Sequence, residues 1–181
     1  MRSANYARNT HFMSKGKVCF IAEYSFRDIT DIEHQFLVEQ GISFLMLDLD
    51  NTVAAYTEHE EPAESVKLWF ETLRKSDIKP FLISNSTRTK RVETFAKALD
   101  CEFIMRSGKP SPRSLNKAMQ DSGFTPEQSA LVGDQTFTDV LAARLAGVTP
   151  ILVRPRELSN IFLALRYYFE MPIRLMCRNK Y

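Results

Sequence analysis

Short apolar runs alternate with longer amphipathic segments along the middle of this sequence, and that alternation limits the folds open to the chain. Five runs have the length and the flanking turn residues of strands buried on both faces, at residues 44–47, 81–83, 103–105, 130–132 and 151–153. Helical patterns separate the runs: one has Pro62 in its first turn, and three more cover residues 88–99, 112–122 and 136–146. Repeated alternation of strand and helix is typical of right-handed βαβ crossovers. The pattern therefore predicts an α/β fold of three layers, with helices on both faces of a parallel sheet.

Chain length and the distribution of charge indicate how the chain is organised. The 181 residues make one domain with short extensions. The formal net charge is +2, yet residues 1–20 carry +4 and residues 154–181 carry another +4, so the middle is net acidic. We expect a flexible basic leader at residues 1–20 and a core at residues 21–156. An amphipathic helix at residues 157–181 is expected to pack on the core or to lie at a membrane surface.

The composition disfavours several other classes of protein. A duplex-DNA binder would carry a basic stripe on its folded domain, so no DNA binding is expected. Three widely spaced cysteines, Cys19, Cys101 and Cys177, support neither a disulfide framework nor a zinc site. No apolar run reaches the roughly 18 residues of a membrane span, and no secretory signal is evident. We expect a cytoplasmic protein whose basic ends permit peripheral contact with a membrane.

Polar residues follow each of the first four apolar runs. In chain order these segments are Asp48-Leu49-Asp50-Asn51-Thr52, Ser84-Asn85-Ser86, Gly108-Lys109-Pro110, and Gly133-Asp134-Gln135 with Asp139 close behind. Ligands of open α/β sheets bind at the carboxyl ends of the strands, so these segments are expected to share one site. Several carboxylates in a small volume need a cation, because like charges otherwise raise one another's pKa values. Oxygen ligands of this kind suit Mg²⁺.

The residue types at the strand ends predict a phosphate site. Ser84 offers a hydroxyl to phosphoryl oxygens, and Asn85 and Thr52 are grouped with it as substrate-binding candidates. Lys109 supplies a positive charge that offsets the charge of a phosphoryl group and of a nucleophile. Asp134 fits as a metal ligand. Asp139, one helical turn further along, is expected either to bind the metal through water or to hold Lys109.

The four segments, in this order, closely resemble the motifs of the haloacid dehalogenase superfamily of aspartate-nucleophile phosphatases, over roughly residues 42–155. Within it they look most like the subfamily IIIA phosphatases of the YqeG type, which are akin to phosphatidylglycerophosphate phosphatases. Ser86 departs from the pattern of that group, where a second Asn is common, and the segment Val53 to Tyr56 has no match in it.

The resemblance implies roles for the acidic residues. Asp48 would attack phosphorus and form an aspartyl-phosphate, while Asp50 would protonate the leaving group and then activate water. Mg²⁺ would be bound by the carboxylates of Asp48 and Asp134 and by the backbone carbonyl of Asp50. Asp139 is the further candidate ligand.

The spacing of the motifs bears on the substrate. Superfamily members often carry a cap domain after the first or second motif, but only nine residues, 53–61, precede the next helix here. Ser84 and Lys109 are 25 positions apart, enough for one helix and one strand. We therefore expect no sizeable cap and an open site. Such a site suits a phosphate on something large or anchored, and a phospholipid precursor such as phosphatidylglycerophosphate is the leading candidate.

Other functions stay open on the sequence. The same chemistry on a phosphoprotein, a nucleic-acid end or a small phosphorylated metabolite is the first alternative. A binding protein that keeps the motifs without turnover is the second.

The C-terminal stretch has the pattern of a basic amphipathic helix. Its apolar positions are Leu158, Ile161, Phe162, Leu165, Tyr168 and Phe169. The basic residues near them are Arg166, Arg174 and Arg178. Such a helix can lie in a membrane interface. Alternatively, its apolar face packs on the sheet while its basic residues are solvated.

Overall fold

The computed structural model describes residues 18–58 and 60–177, and this part of the chain forms one six-stranded sheet. The strands are β1 (Tyr24–Ser25), β2 (Phe44–Leu47), β3 (Lys79–Ile83), β4 (Glu102–Ile104), β5 (Ser129–Gly133) and β6 (Thr149–Leu152). Their order across the sheet is β1-β6-β5-β2-β3-β4, and every neighbouring pair is parallel. The predicted parallel α/β sheet is therefore confirmed.

Six α-helices and one π-helix accompany the strands within the described residues. They are α1 (His34–Glu39), α2 (Glu64–Lys75), α3 (Thr89–Ala98), α4 (Arg113–Ser122), the π-helix (Thr136–Val140), α5 (Leu141–Ala146) and α6 (Ile161–Arg174). Helices α4 and α5 end at Gly123 and Gly147, which have φ of 75° and 77°. Glycine adopts this left-handed conformation without a Cβ clash, which makes it a common helix terminator.

The two faces of the sheet are covered by different helices. Side chains alternate along a strand, so Leu45 and Leu47 of β2 pack in one apolar cluster with Phe70 of α2. Phe44 and Met46 point the other way, into a second cluster that includes residues of α4 and α5. The chain thus has the three predicted layers.

Two local predictions need correction. Pro62 precedes the second helix and is not in its first turn, since α2 begins at Glu64 after an extended Ala63. The edge strand β1 was not predicted, because two residues are too short to show a period. It pairs with β6 through Tyr24 and Ser25.

The connections next to the site are short. Residues 48–63 join β2 to α2, and residues 84–88 join β3 to α3. Neither holds an inserted domain in its described residues, as the motif spacing predicted. The proposed leader at residues 1–20 lies outside the described residues except for its last three.

Candidate active site

The carboxyl ends of the central strands form a cleft of about 310 Å³. Asp48, Asp50 and Lys109 line it, together with Asn85 and Asp139. A larger groove of about 770 Å³ lies at the opposite ends of β3 and β4 and contains none of the motif residues. The sequence motifs therefore come together at the edge of the sheet where parallel strands bind ligands.

A buried lysine joins two of the carboxylates. The Lys109 Nζ atom lies 2.6 Å from Asp48 Oδ1 and 2.7 Å from Asp139 Oδ1, and it donates to the Ile83 carbonyl at 2.9 Å. Burial opposes the charge on Lys109, but the carboxylates of Asp139 and Asp48 outweigh it and raise the pKa of the amine. Of the two roles considered for Asp139, holding Lys109 is the one seen here.

Three carboxylates are close enough to share a cation. In the described part of the chain, Asp48, Asp134 and Asp139 offer oxygens that all lie within 4.8 Å of one another. Burial raises the pKa of Asp48 well above its usual value, and Lys109 only partly offsets this effect. Burial and the neighbouring Asp139 raise the pKa of Asp134 to about 7. Lys109 and Arg166 supply two positive charges for the three buried carboxylates, so one negative charge is in excess and the oxygen-only donor set fits a divalent cation.

Asp50 has a different partner from the other acids. Its Oδ1 accepts a 2.5 Å bond from Arg91 Nη1, and its Oδ2 lies 3.4 Å from the Ser84 hydroxyl, which donates to it. Arg91, on α3, is buried and also donates to the carbonyls of Glu58 and Ala55. Because one oxygen of Asp50 is fixed by Arg91, the carboxylate is oriented before any substrate binds.

The three residues predicted to bind substrate occupy different positions. Ser84 is buried, its N–H donates to the Ile104 carbonyl, and its hydroxyl is turned to Asp50. Asn85 lines the cleft, but its side chain bonds the backbone of Lys109 and the hydroxyl of Ser107. Asn85 thus supports the loop that carries Lys109, and Ser84 supports the carboxylate of Asp50.

Thr52 lies away from the cleft. It is 1% exposed, and its carbonyl accepts a bond from Arg156 Nε. Thr52 is not among the residues that line the cleft, and its buried hydroxyl has no hydrogen-bond partner in the described part of the chain. The substrate-binding role of Thr52 stays a prediction.

A π-helix sets the position of Asp139. The sequence predicted one regular helix over residues 136–146, whereas the first five residues form a π-helix. Such turns widen the backbone locally and are frequent at functional sites. Asp139 Oδ2 accepts a bond from the Gln135 N–H, and a Cβ on Gly133 would lie 2.3 Å from the Asp139 carboxyl carbon. Only glycine at position 133 permits this close approach.

Helix α6 reaches the site through polar side chains. Arg166 Nη2 lies 3.3 Å from Asp134 Oδ2, and Arg174 donates to the Asp134 carbonyl. Arg174 also pairs with Glu170 at 3.1 Å, and Glu170 accepts a bond from the Thr136 N–H. The periodicity of the sequence gave no signal for these contacts, because all of them join residues more than 30 positions apart except the pair on α6 itself.

The orientation of α6 differs from the packed arrangement considered from the sequence. That arrangement placed the apolar residues on the sheet and the arginines in solvent. Instead, Glu170 and Arg174 are buried, while Phe162 and Phe169 are 77% and 74% exposed. The buried polar contacts with Asp134 explain why the helix attaches by its charged side.

We expect the metal-free protein to lose stability as the pH rises. The pKa of Asp134 is raised from 3.8 to about 7 in the folded state, so between these values the folded chain holds a proton that the unfolded chain releases. Stability gained from this group is complete at low pH and is lost as the pH rises through about 7. Urea unfolding in a chelating buffer at several pH values measures the slope.

Two variants check the cause of this slope. Asp134→Asn should make it shallower, because the amide does not titrate. Asp121→Asn, on the exposed face of α4, should leave the slope unchanged. An equal slope in Asp134→Asn and the unaltered protein would contradict the assignment.

The parallel sheet carries no inserted domain in its described residues, and a carboxylate–lysine cluster lies at its carboxyl edge. Both features are what the sequence resemblance implied for a hydrolase with an aspartate nucleophile. The chain belongs to the haloacid dehalogenase-like hydrolases, whose family model matches residues 2–147. It is 31% identical over 149 residues to the probable phosphatase YqeG of Bacillus subtilis, across 81% of this chain and 84% of that protein. The resemblance of the four motifs to the haloacid dehalogenase superfamily is thereby confirmed, and so is the hydrolase class.

Solved structures of lower identity share the fold. One is the 3-deoxy-D-manno-octulosonate 8-phosphate phosphatase of Yersinia pestis, at 17% identity and a TM-score of 0.55, covering 80% of this chain and 76% of that one. Another is the cobalt-bound deoxy-D-mannose-octulosonate 8-phosphate phosphatase of Haemophilus influenzae, at 17% identity and a TM-score of 0.52, covering 70% and 75%. At these identities the likeness concerns the fold alone.

Proposed function

We propose that the protein is a Mg²⁺-dependent phosphomonoester hydrolase that works through an aspartyl-phosphate on Asp48. The observation that carries the proposal is the buried cluster in which Lys109 bridges Asp48 and Asp139 beside Asp134. Asp48 and Lys109 line the cleft, and three carboxylates lie within 4.8 Å of one another. This arrangement supports a carboxylate nucleophile beside a fixed positive charge and a set of oxygen ligands. The name of the Bacillus subtilis relative, a probable phosphatase, also supports it.

In the first step an oxygen of Asp48 forms a bond to phosphorus as the phosphorus–oxygen bond of the ester breaks. Lys109 contacts Asp48 Oδ1, so Oδ2 is the oxygen left for attack. The ammonium group offsets the charge that nucleophile and phosphoryl group bring together. Asp50 gives a proton to the leaving alkoxide, and Arg91 holds the acid in place from its other side.

In the second step water replaces the enzyme on phosphorus. Asp50, now a carboxylate, takes a proton from the water as its oxygen bonds to phosphorus and the bond to Asp48 breaks. Inorganic phosphate leaves, Asp48 is a carboxylate again, and Asp50 is protonated for the next turnover.

The proposed ligands of Mg²⁺ are the carboxylates of Asp48, Asp134 and Asp139, with the backbone carbonyl of Asp50. Bound there, the ion supplies charge screening between the nucleophile and the phosphoryl oxygens. With Lys109 already held by Asp139, direct contact and contact through water are both compatible with Asp139 as a ligand.

For the substrate we propose the phosphate of a phospholipid precursor, with phosphatidylglycerophosphate as the representative. Two observations favour it. The cleft has no cap in the described residues, so it can reach a phosphate that stays attached to a large body. Helix α6, whose Arg166 contacts Asp134, carries a row of exposed apolar side chains.

A substrate panel tests both levels of the proposal. Purified protein with Mg²⁺ is expected to release phosphate from an aryl phosphate and, with higher kcat/KM, from phosphatidylglycerophosphate in detergent micelles. Excess chelator should stop both reactions, and added Mg²⁺ should restore them. Nucleotides, a phosphorylated DNA end, a phosphopeptide and sugar phosphates complete the panel.

The results separate the alternatives. A preference for one of the other compounds would overturn the lipid proposal and leave the chemistry standing. No Mg²⁺-dependent release from any compound would favour a binding protein that keeps the fold without turnover.

A further inference from the structure

Helix α6 presents a continuous apolar surface to solvent. We define the α6 apolar face by its exposed large side chains: Ile161, Phe162, Leu165, Tyr168, Phe169, Leu175 and Met176. Each of them is between 65% and 77% exposed. The five from Ile161 to Phe169 recur at spacings of one, three and four, which places them on one side of the helix. Leu175 and Met176 directly follow the last helical residue, Arg174. An exposed apolar row of this extent is unusual on a soluble monomer and marks an interaction surface.

Helix α6 is attached to the core through the side opposite the α6 apolar face. The exposure of that face therefore does not result from a helix that has detached from the core. Glu170 is completely buried and Arg174 is 9% exposed. Their bonds to the Thr136 N–H, the Val153 carbonyl and the Asp134 carbonyl fix the helix on the carboxyl edge of the sheet. Turning the apolar face inward would bury it only at the cost of breaking this buried polar network.

The charge around the α6 apolar face indicates what it binds. The exposed residues from Leu158 to Met176 include no acid, because Glu170, the one acid in this stretch, is buried. In sequence, residues 154–181 carry a net charge of +4. Among the described arginines of this stretch, Arg166 is partly exposed, whereas Arg174 is buried and Arg156 pairs with Asp28. A helix with an apolar face and basic surroundings suits the interface of a bilayer with anionic lipids.

A second copy of the chain suits this surface less well. Two copies joined through the same face would bring two segments of +4 together, and like charges at an interface oppose association. Nor does the helix suit a spanning role: within residues 18–58 and 60–177, none of the helices has the length and apolar content needed to cross a bilayer. A helix that lies in the plane of the membrane interface avoids the repulsion between two basic segments and does not need to span the bilayer.

We infer that the α6 apolar face docks the protein on an anionic lipid bilayer. The docked surface and the candidate active site are neighbours, since Arg166 of α6 contacts Asp134 and the Phe169 ring lies 5.9 Å from that of Phe137. Docking thus places the open cleft near the lipid headgroups. Docking itself does not depend on turnover, whereas its value for reaching a lipid phosphate rests on the proposed function.

Sedimentation with vesicles tests the inference on the full chain. Vesicles of equal parts phosphatidylglycerol and phosphatidylcholine are expected to carry the protein into the pellet, and vesicles of phosphatidylcholine alone should bind it at least about tenfold more weakly. The variant Phe162→Glu/Leu165→Glu removes two apolar contacts and adds two negative charges. It should lower binding to the anionic vesicles by about tenfold or more.

Matched variants separate docking from folding and catalysis. Leu68→Glu, which changes a 55% exposed leucine on α2, should sediment like the unaltered protein. The Phe162→Glu/Leu165→Glu protein should keep its hydrolysis of a soluble aryl phosphate, while Asp48→Asn should lose hydrolysis and keep vesicle binding. A failure of docking and a failure of the proposed chemistry are thereby distinguished.

Three results would overturn the inference. The first is the absence of sedimentation with anionic vesicles. The second is equal sedimentation of the unaltered and the Phe162→Glu/Leu165→Glu proteins. The third is a dimer in analytical ultracentrifugation that the same variant dissociates, which would assign the face to a second copy of the chain.

Discussion

Asp48→Asn is expected to lower kcat for an aryl phosphate by about 10⁴-fold or more, because an amide oxygen cannot form the proposed aspartyl-phosphate. The fold should survive, since asparagine has nearly the same shape and Lys109 keeps its 2.7 Å contact with Asp139. The raised pKa of Asp48 also means that its charge is unfavourable where it lies. Steady-state kinetics with Mg²⁺ measure the loss, and urea unfolding verifies the fold.

Asp50→Asn is the informative comparison for this prediction. Without its acid and base the enzyme should be slower by about 10²- to 10⁴-fold. It should still transfer phosphate from an activated aryl phosphate to Asp48 and then hydrolyse it slowly. Intact-protein mass spectrometry should find one added phosphoryl group in Asp50→Asn and none in Asp48→Asn. Full activity in Asp48→Asn would exclude the covalent mechanism.

The fold was predictable because its signals are local. Buried parallel strands appear as uninterrupted apolar runs, and each run from Phe44 onward corresponds to a strand within two residues. The boundaries that differ have local causes as well. Pro62 satisfies the rule for a first helical turn, yet Ala63 after it is not helical and α2 begins only at Glu64. Strand β1 is held by its pairing with β6 and not by any pattern of its own.

The acidic part of the site was predictable for a topological reason. Asp48, Lys109 and Asp134 each follow a strand, and a parallel sheet brings all strand ends to one edge. The contact between Asp139 and Lys109 was not predictable, because it depends on the 2.7 Å distance that a π-helix sets. Spacing alone gives one helical turn and cannot distinguish a metal ligand from a partner of lysine.

The arginines were missed because no motif contains them and their acidic partners are distant in sequence. Arg91 sits beside Val92 on the buried side of α3, and an arginine on an apolar helix face is the signal that could have indicated a buried acid partner. On α6 the same logic applies to Glu170 and Arg174. Their spacing of four residues is typical of an ordinary surface pair, whereas both are buried: Glu170 accepts a bond from the Thr136 N–H, and Arg174 donates to the Asp134 carbonyl.

Lys109→Met is expected to lower kcat by about 10³-fold or more and to destabilise the fold by about 3–5 kcal/mol near neutral pH. Methionine keeps much of the side-chain volume, so the effect comes from the charge. Lys109 lowers the pKa of Asp48, and its removal leaves Asp48 and Asp139 facing each other without a cation between them. Removal of Lys109 raises the folded-state pKa of Asp48 further, and a raised folded-state pKa lowers stability as the pH rises. The loss of stability in Lys109→Met should therefore be smaller at acidic pH.

The double variant Lys109→Met/Asp139→Asn isolates that repulsion. Removing one carboxylate should recover a large part of the lost stability, while activity stays low because the positive charge beside the nucleophile is still missing. Lys79→Met is the control: its 2.6 Å ion pair with Glu102 is as short as that of Lys109 with Asp48, but its side chain is 35% exposed. Such a pair contributes about 1 kcal/mol or less. Equal decreases in the free energy of unfolding in Lys79→Met and Lys109→Met would contradict the prediction, because they would show that burial of the Asp48–Lys109–Asp139 cluster adds nothing to the cost of removing its lysine.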